Sequence, residues 1–97
     1  MHNIIFHPDI RDEVQAGYDW YNVKSSGLGE EFLKELDLAF ELVQKQPLTW
    51  PIFSDNFRRY LLKRFPFGVI YKAENTNIYI LAVMHLSRKP GYWKIRI

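Results

Sequence analysis

The side chains able to do chemistry in this chain are gathered in its C-terminal half. One cluster is Arg58, Arg59, Lys63 and Arg64. A second follows it: His85, Arg88, Lys89, Lys94 and Arg96, interleaved with Tyr92 and Trp93. Arginine grips phosphate or carboxylate through a planar fork, and aromatic rings can stack on bases. Histidine exchanges protons near neutral pH. The pattern suits an anionic partner, held by charge and oriented by rings. Each residue also has a plainer explanation. The first cluster can be a charged strand that resists aggregation. Tyr92 and Trp93 can pin the tail to the fold, and His85 can be a hydrogen-bonded residue at a strand end. Arg88 has no such stabilising reason to be where it is.

Other chemistries find no support. The chain has no GxxxxGK phosphate loop, GxSxG elbow or HExxH helix. His2, His7 and His85 lie at no familiar metal-ligand spacing, and there is no cysteine for thiolate or zinc chemistry. Glu30 and Glu31 fall in a predicted first helical turn, where the helix dipole explains them. Neither a metal nor a cofactor is expected.

The 97 residues suit one domain spanning 1–97. Aromatic residues make up 16% of the chain, a rich supply for a small core. Residues 1–49 hold four Lys/Arg against nine Asp/Glu, a net −5. Residues 50–97 hold nine against two, a net +7. Such asymmetry points to an anionic partner for the second half, or to acidic helices lying beside a basic sheet. No segment approaches the roughly 18 apolar residues of a membrane span, and the apolar start is cut short by Pro8. A soluble, cytoplasmic protein that does not enter membranes is expected.

The elements that must position these residues follow from periodicity. Asn3 to Phe6 reads as a short strand. Pro8 and Asp9 open a helix whose stripe is Ile10, Val14, Tyr18 and Tyr21, with Asp12, Glu13, Gln15 and Asp19 on the opposite side. It ends near Lys24. A second helix runs from about Gly29 to Gln46 on Phe32, Leu36, Ala39, Phe40 and Val43, and Pro47 ends it. The short Ser25–Leu28 connection makes the two an antiparallel hairpin. Leu48 to Asn56 reads as a loop folded onto the core. Three strands follow, Arg58–Arg64, Phe67–Glu74 and Ile78–His85, with a turn at Asn75-Thr76-Asn77. Alternation places Arg59, Leu61 and Lys63 on one face of their strand. It places Ile78, Ile80, Ala82 and Met84 together on one face of the last, which is apolar on both faces and so central. The fold class is α+β: a short strand, a two-helix hairpin, then a three-stranded antiparallel meander, with the helices on one face of a small sheet.

Three segments carry a resemblance. Arg59-Tyr60-Leu61-Leu62-Lys63-Arg64-Phe65-Pro66-Phe67-Gly68-Val69-Ile70-Tyr71, then Ile80 to His85, then Arg88-Lys89-Pro90-Gly91-Tyr92-Trp93, resemble the RelE/ParE toxin superfamily of bacterial type II toxin–antitoxin systems, the plasmid stabilisation type. The N-terminal layout agrees. The resemblance implies a growth-inhibiting toxin neutralised by a cognate antitoxin, with operator DNA contacted only through the antitoxin. Its branches differ in target. RelE-like members cut messenger RNA on the ribosome without metal, using the RNA 2′-hydroxyl as nucleophile. On that branch Arg88, Tyr92 and His85 would be catalytic; on either branch Arg59, Lys63, Arg64, Lys89, Trp93 and Arg96 would bind the target or the RNA. ParE-like members bind and inhibit DNA gyrase, and are not enzymes. Where the nuclease branch carries an arginine in its third strand, this chain has Gly68, which favours the ParE-like reading. A third reading is an inactive relative that only binds its antitoxin.

Overall fold

In the computed structural model, which describes residues 2–96, one mixed five-stranded sheet carries a helical hairpin on one face. The order of elements is β1 (Asn3–Phe6), α1 (Ile10–Lys24), α2 (Leu28–Lys45), β2 (Ile52–Ser54), β3 (Phe57–Leu61), β4 (Phe67–Glu74), β5 (Asn77–His85) and a 3-10 helix, η1 (Tyr92–Arg96). The sheet runs β1-β5-β4-β3-β2. Strands β2 to β5 form an antiparallel meander, and β1 returns to lie parallel to β5. The expected α+β architecture is present, with three differences.

The segment read as a loop contains β2, which pairs with β3 through Ile52–Arg58 and Ser54–Phe57. Its three residues are too few to show alternation. Strand β3 stops at Leu61, so Lys63 and Arg64 fall in the bend that follows rather than in the strand. The tail closes as a short helix that its composition did not announce.

The helical stripes behave as expected. Ile10 and Tyr21 on α1, and Phe32, Leu36, Ala39 and Val43 on α2, are buried against Phe67, Val69, Tyr71, Ile78 and Ile80. Gly17 lets the two helices approach closely: a Cβ there would lie 2.7 Å from the Phe32 ring. The second turn expectation also holds, since Asn75 adopts the left-handed conformation (φ 56°) that Asn tolerates in tight hairpins.

The alternation of β5 does not hold throughout. Tyr71 pairs with Ile80, but Ile70 pairs with Ala82, leaving Leu81 as an extra residue. This bulge flips the strand's sidedness. Ile78, Ile80 and Val83 therefore face the helices, whereas Leu81, Ala82 and Met84 face the other side. Strict period-two counting had grouped Ala82 and Met84 with Ile78 and Ile80. A bulge leaves no composition signature, so the sequence conceals it. On the side away from the helices, η1 lays Trp93 over Ile70, Leu81, Ala82 and Met84, with Phe53 and Tyr92 at its margin.

Candidate functional site

The site is built where β1 ends and β5 continues. The ladder between them closes at Phe6–Ile80, with the His7 N–H donating to the Ile80 carbonyl at 3.0 Å. Past this point no strand among the described residues lies beside that edge of β5. Two side chains take the strand's place. Glu13 of α1 accepts the Val83 N–H on Oε1 at 3.0 Å. Arg96 of η1 donates to the Leu81 carbonyl at 3.0 Å and to Glu13 Oε2 at 3.0 Å. Asp9 adds a second carboxylate 3.7 Å from Arg96 Nη2. Glu13 and Arg96 are 11% and 12% exposed, so this pair is largely desolvated. Its charges are matched and its remaining valences are taken by backbone, the condition under which a buried pair is tolerable.

Arg88 stands beside this pair. A tight turn fixes its backbone, with its N–H donating to the His85 carbonyl at 3.0 Å. Its guanidinium lies 3.6 Å from Glu13 Oε2 and 3.5 Å from the centroid of the Tyr92 ring. Arg96 approaches the same ring at 4.8 Å. A planar guanidinium on an aromatic ring is a favourable stack that restricts its rotation. The Arg88 side chain remains 51% exposed, so one side of the fork is held and the other faces solvent.

Tyr92 is the mirror of this. Its hydroxyl is buried and has no hydrogen-bond partner among the described residues. Burial pushes its pKa up to about 12, and the negative charge of Glu13 adds to the effect without reaching hydrogen-bond geometry. Trp93 is fully buried, and its indole N–H is likewise unpartnered among the described residues. In this conformation Trp93 presents no face to a target and Tyr92 presents no hydroxyl. Arg96 is tied to two carboxylates, a carbonyl and a ring.

The first basic cluster is dispersed. Arg58 donates to the Trp50 carbonyl at 2.7 Å and holds the β2 approach in place. Arg59 lies on the face away from the helices, with its guanidinium 4.1 Å from the Phe53 ring centroid. Its aliphatic stem crosses Gly68: a Cβ at that position would meet Arg59 carbons at 3.2 Å. Glycine there gives the neighbouring strand's arginine its path. The N–H groups of Lys63 and Arg64 both point at the Glu35 carboxylate of α2. The Arg64 side chain pairs with Glu31 at 2.7 Å. Arg59, Lys63 and Lys89 form no ion pair among the described residues.

His85 closes β5. Its ring packs edge-on against Phe67 at 5.0 Å, and Nδ1 lies 2.7 Å from the Ser87 hydroxyl. Beside it runs a groove of about 430 Å³ between α1 and the end of β5, lined among others by Glu13, Gly17, Trp20, Phe67, Val83 and Arg88. The structure thus brings His85, Arg88, Tyr92 and Arg96 to one end of the sheet. Arg59 lies on the sheet face away from the helices, and Lys63 and Arg64 are tied to α2. The central acid of the cluster, Glu13, was assigned by helical counting to the solvent side of α1. It turns inward because the uncovered β5 edge offers an N–H and the tail an arginine, both far away in sequence. The charge asymmetry is in part neutralised within the fold, since Arg64, Arg88 and Arg96 all pair with acids of the first half.

A family model described as the ParE toxin of the type II toxin–antitoxin system parDE matches residues 4–90. Among solved structures, the chain is similar to the chromosomal ParDE toxin–antitoxin system from P. aeruginosa. The TM-score is 0.67 at 22% identity, covering 89% of this chain and 97% of the other. No curated protein matches it. Among the described residues, no helix is long and apolar enough to cross a membrane.

Proposed function

The chain belongs to the ParE toxin family of type II toxin–antitoxin systems, and from that premise we propose that it arrests growth by binding DNA gyrase rather than by cutting RNA. It is the toxin of such a pair, and its partner is a cognate antitoxin. The observation that carries the proposal is the state of Tyr92. A metal-free nuclease needs groups that move protons at the reacting phosphate. Tyr92 has its hydroxyl buried and its pKa pushed up to about 12. Its ring serves as a platform for Arg88. Gly68 supports the same reading, because it supplies no side chain to hold a phosphate and instead makes room for Arg59. What the surface offers is a set of presented cations: Arg88 foremost with Lys89 next to it in the chain, and Arg59 on the sheet face away from the helices. That is the composition of a binding face for an acidic partner. Contact with operator DNA passes through the antitoxin.

The test is a DNA supercoiling assay with purified protein. Gyrase should be inhibited, or trapped on cleaved DNA, and Arg88→Ala should weaken the effect by about tenfold while leaving a measurable residue. Full gyrase activity at a large molar excess of toxin, together with cuts within translated codons after induction, would overturn the proposal in favour of the ribonuclease branch.

A further inference from the structure

We propose that Glu13 is the positioning residue of the target-binding surface: it sets the Arg88 guanidinium in its presented orientation and, through Arg96, holds the tail that carries the ring beneath it. The inference rests on the reading of Arg88 as a target-contacting residue, and it adds a residue on a different element, in the acidic half of the chain.

The first observation is the number of things one carboxylate does. Oε1 takes the Val83 N–H, which the end of β1 leaves without a strand partner. Oε2 takes Arg96 at 3.0 Å and faces Arg88 at 3.6 Å. The helix dipole alone would explain an acid in the first turn of α1, but such an acid needs only to lie in solvent. This one is 11% exposed, accepts from Val83 of β5 and Arg96 of η1, and lies at ion-pair distance from Arg88 in the turn between them.

The second observation is how Arg88 is restrained. Its backbone is set by the turn at His85. Its guanidinium has contacts on two sides, the Tyr92 ring and Glu13. The stack alone leaves the fork free to rotate in the ring plane and slide across it. A carboxylate at its edge fixes which N–H groups turn inward and which turn outward. A long side chain held this way meets a partner with less entropy to lose. The ring itself is in place because η1 is anchored by Trp93 in the sheet and by Arg96 on Glu13. Glu13 therefore acts on Arg88 directly and also through the tail.

The experiment compares Glu13→Gln with Arg88→Ala and the double variant. Gln keeps the acceptor for Val83 but removes the charge that faces the arginines. Toxicity is read as the inducer level needed for growth arrest, and gyrase inhibition as a second measure. Glu13→Gln should weaken both by about fivefold, the upper end for a partly exposed ion pair. In the Arg88→Ala background it should weaken them no further, although it still lowers the melting temperature. A residue that only stabilises the fold would give the same loss in both backgrounds, and that result would overturn the proposal. NMR of the free protein gives a readout independent of any target. The Arg88 side-chain protons, shifted upfield by the Tyr92 ring in the wild type, should move toward ordinary values in Glu13→Gln. Unchanged shifts would also overturn it. Where Glu13→Gln does not fold, Glu13→Asp draws the charge back by one methylene and is used in the same cycle. Wild-type protein that spares gyrase would remove the gyrase reading, while growth arrest and the NMR shifts would still decide the role of Glu13.

Discussion

The two faces of the sheet are stabilised in different ways. The face under the helices is a conventional apolar core: Phe32, Leu36, Val43, Val69, Ile78 and Ile80 are fully or almost fully buried, and the Tyr71 hydroxyl buried among them donates to the Pro47 carbonyl at 2.5 Å. The opposite face is covered by five residues of η1. It holds the buried Tyr92 hydroxyl and the Trp93 indole, both without partners among the described residues, and at its edge a desolvated arginine–carboxylate pair. The first face is arranged for stability alone. The second holds two unpartnered polar groups among the described residues and a largely desolvated ion pair next to Arg88, and features of this kind belong with function more than with folding.

The largest expected effects test how independent the faces are. Phe32→Ala should cost about 3–5 kcal/mol and unfold the protein as a whole. Trp93→Ala should cost a similar amount by the same measure of lost burial. Its consequence should be local first: hydrogen exchange of η1 and the end of β5 should rise before that of α1 and α2. Exchange rising uniformly in both variants would show the faces to be one cooperative unit.

The tyrosines give a sharper contrast. Tyr71→Phe removes a satisfied hydroxyl and leaves the Pro47 carbonyl unpaired, and should destabilise by about 1–2 kcal/mol. Tyr92→Phe removes a hydroxyl that has no partner in hydrogen-bond geometry among the described residues, with only the Glu13 carboxylate nearby, and should be close to neutral. Chemical denaturation of both variants decides this. A loss in Tyr92→Phe equal to that in Tyr71→Phe would mean that Tyr92 is hydrogen-bonded after all.

A further contrast appears at alkaline pH. Both phenols have folded pKa values pushed from 10.0 up to about 12 by burial. The folded state favours their neutral forms. Their contribution to stability is therefore complete below pH 10 and lost as pH rises through 12. Each Phe variant should lose less stability than the wild type over that window. Identical alkaline profiles would show that the phenols do not report burial.

Much of this was legible in the sequence, and the exceptions have physical reasons. The helical stripes were readable because 3.6-residue periodicity survives in Phe32, Leu36 and Val43. Arg88 stood out because nothing in fold stability asked for it. Strand β2 was hidden by its brevity, and the bulge at Leu81 by the absence of any residue type that marks one. Glu13 was hidden most thoroughly. It looks like any acid in a first helical turn, and its partners Val83 and Arg96 lie 70 and 83 residues away. Lys63 and Arg64 were placed in a strand because alternation continued past Leu61, whereas the chain bends there to meet Glu35.

The most direct test of the account compares two arginines that look alike in sequence. Arg64 pairs with Glu31 on the helix side, and Arg88 is held outward on the Tyr92 ring. Arg64→Ala and Arg88→Ala are each induced at matched levels of folded protein, and growth arrest is measured. Arg88→Ala should need about tenfold more inducer for arrest, and Arg64→Ala should arrest growth as the wild type does. Arrest at the wild-type inducer level in Arg88→Ala and weakened arrest in Arg64→Ala would place the working surface on the helix side and contradict the account.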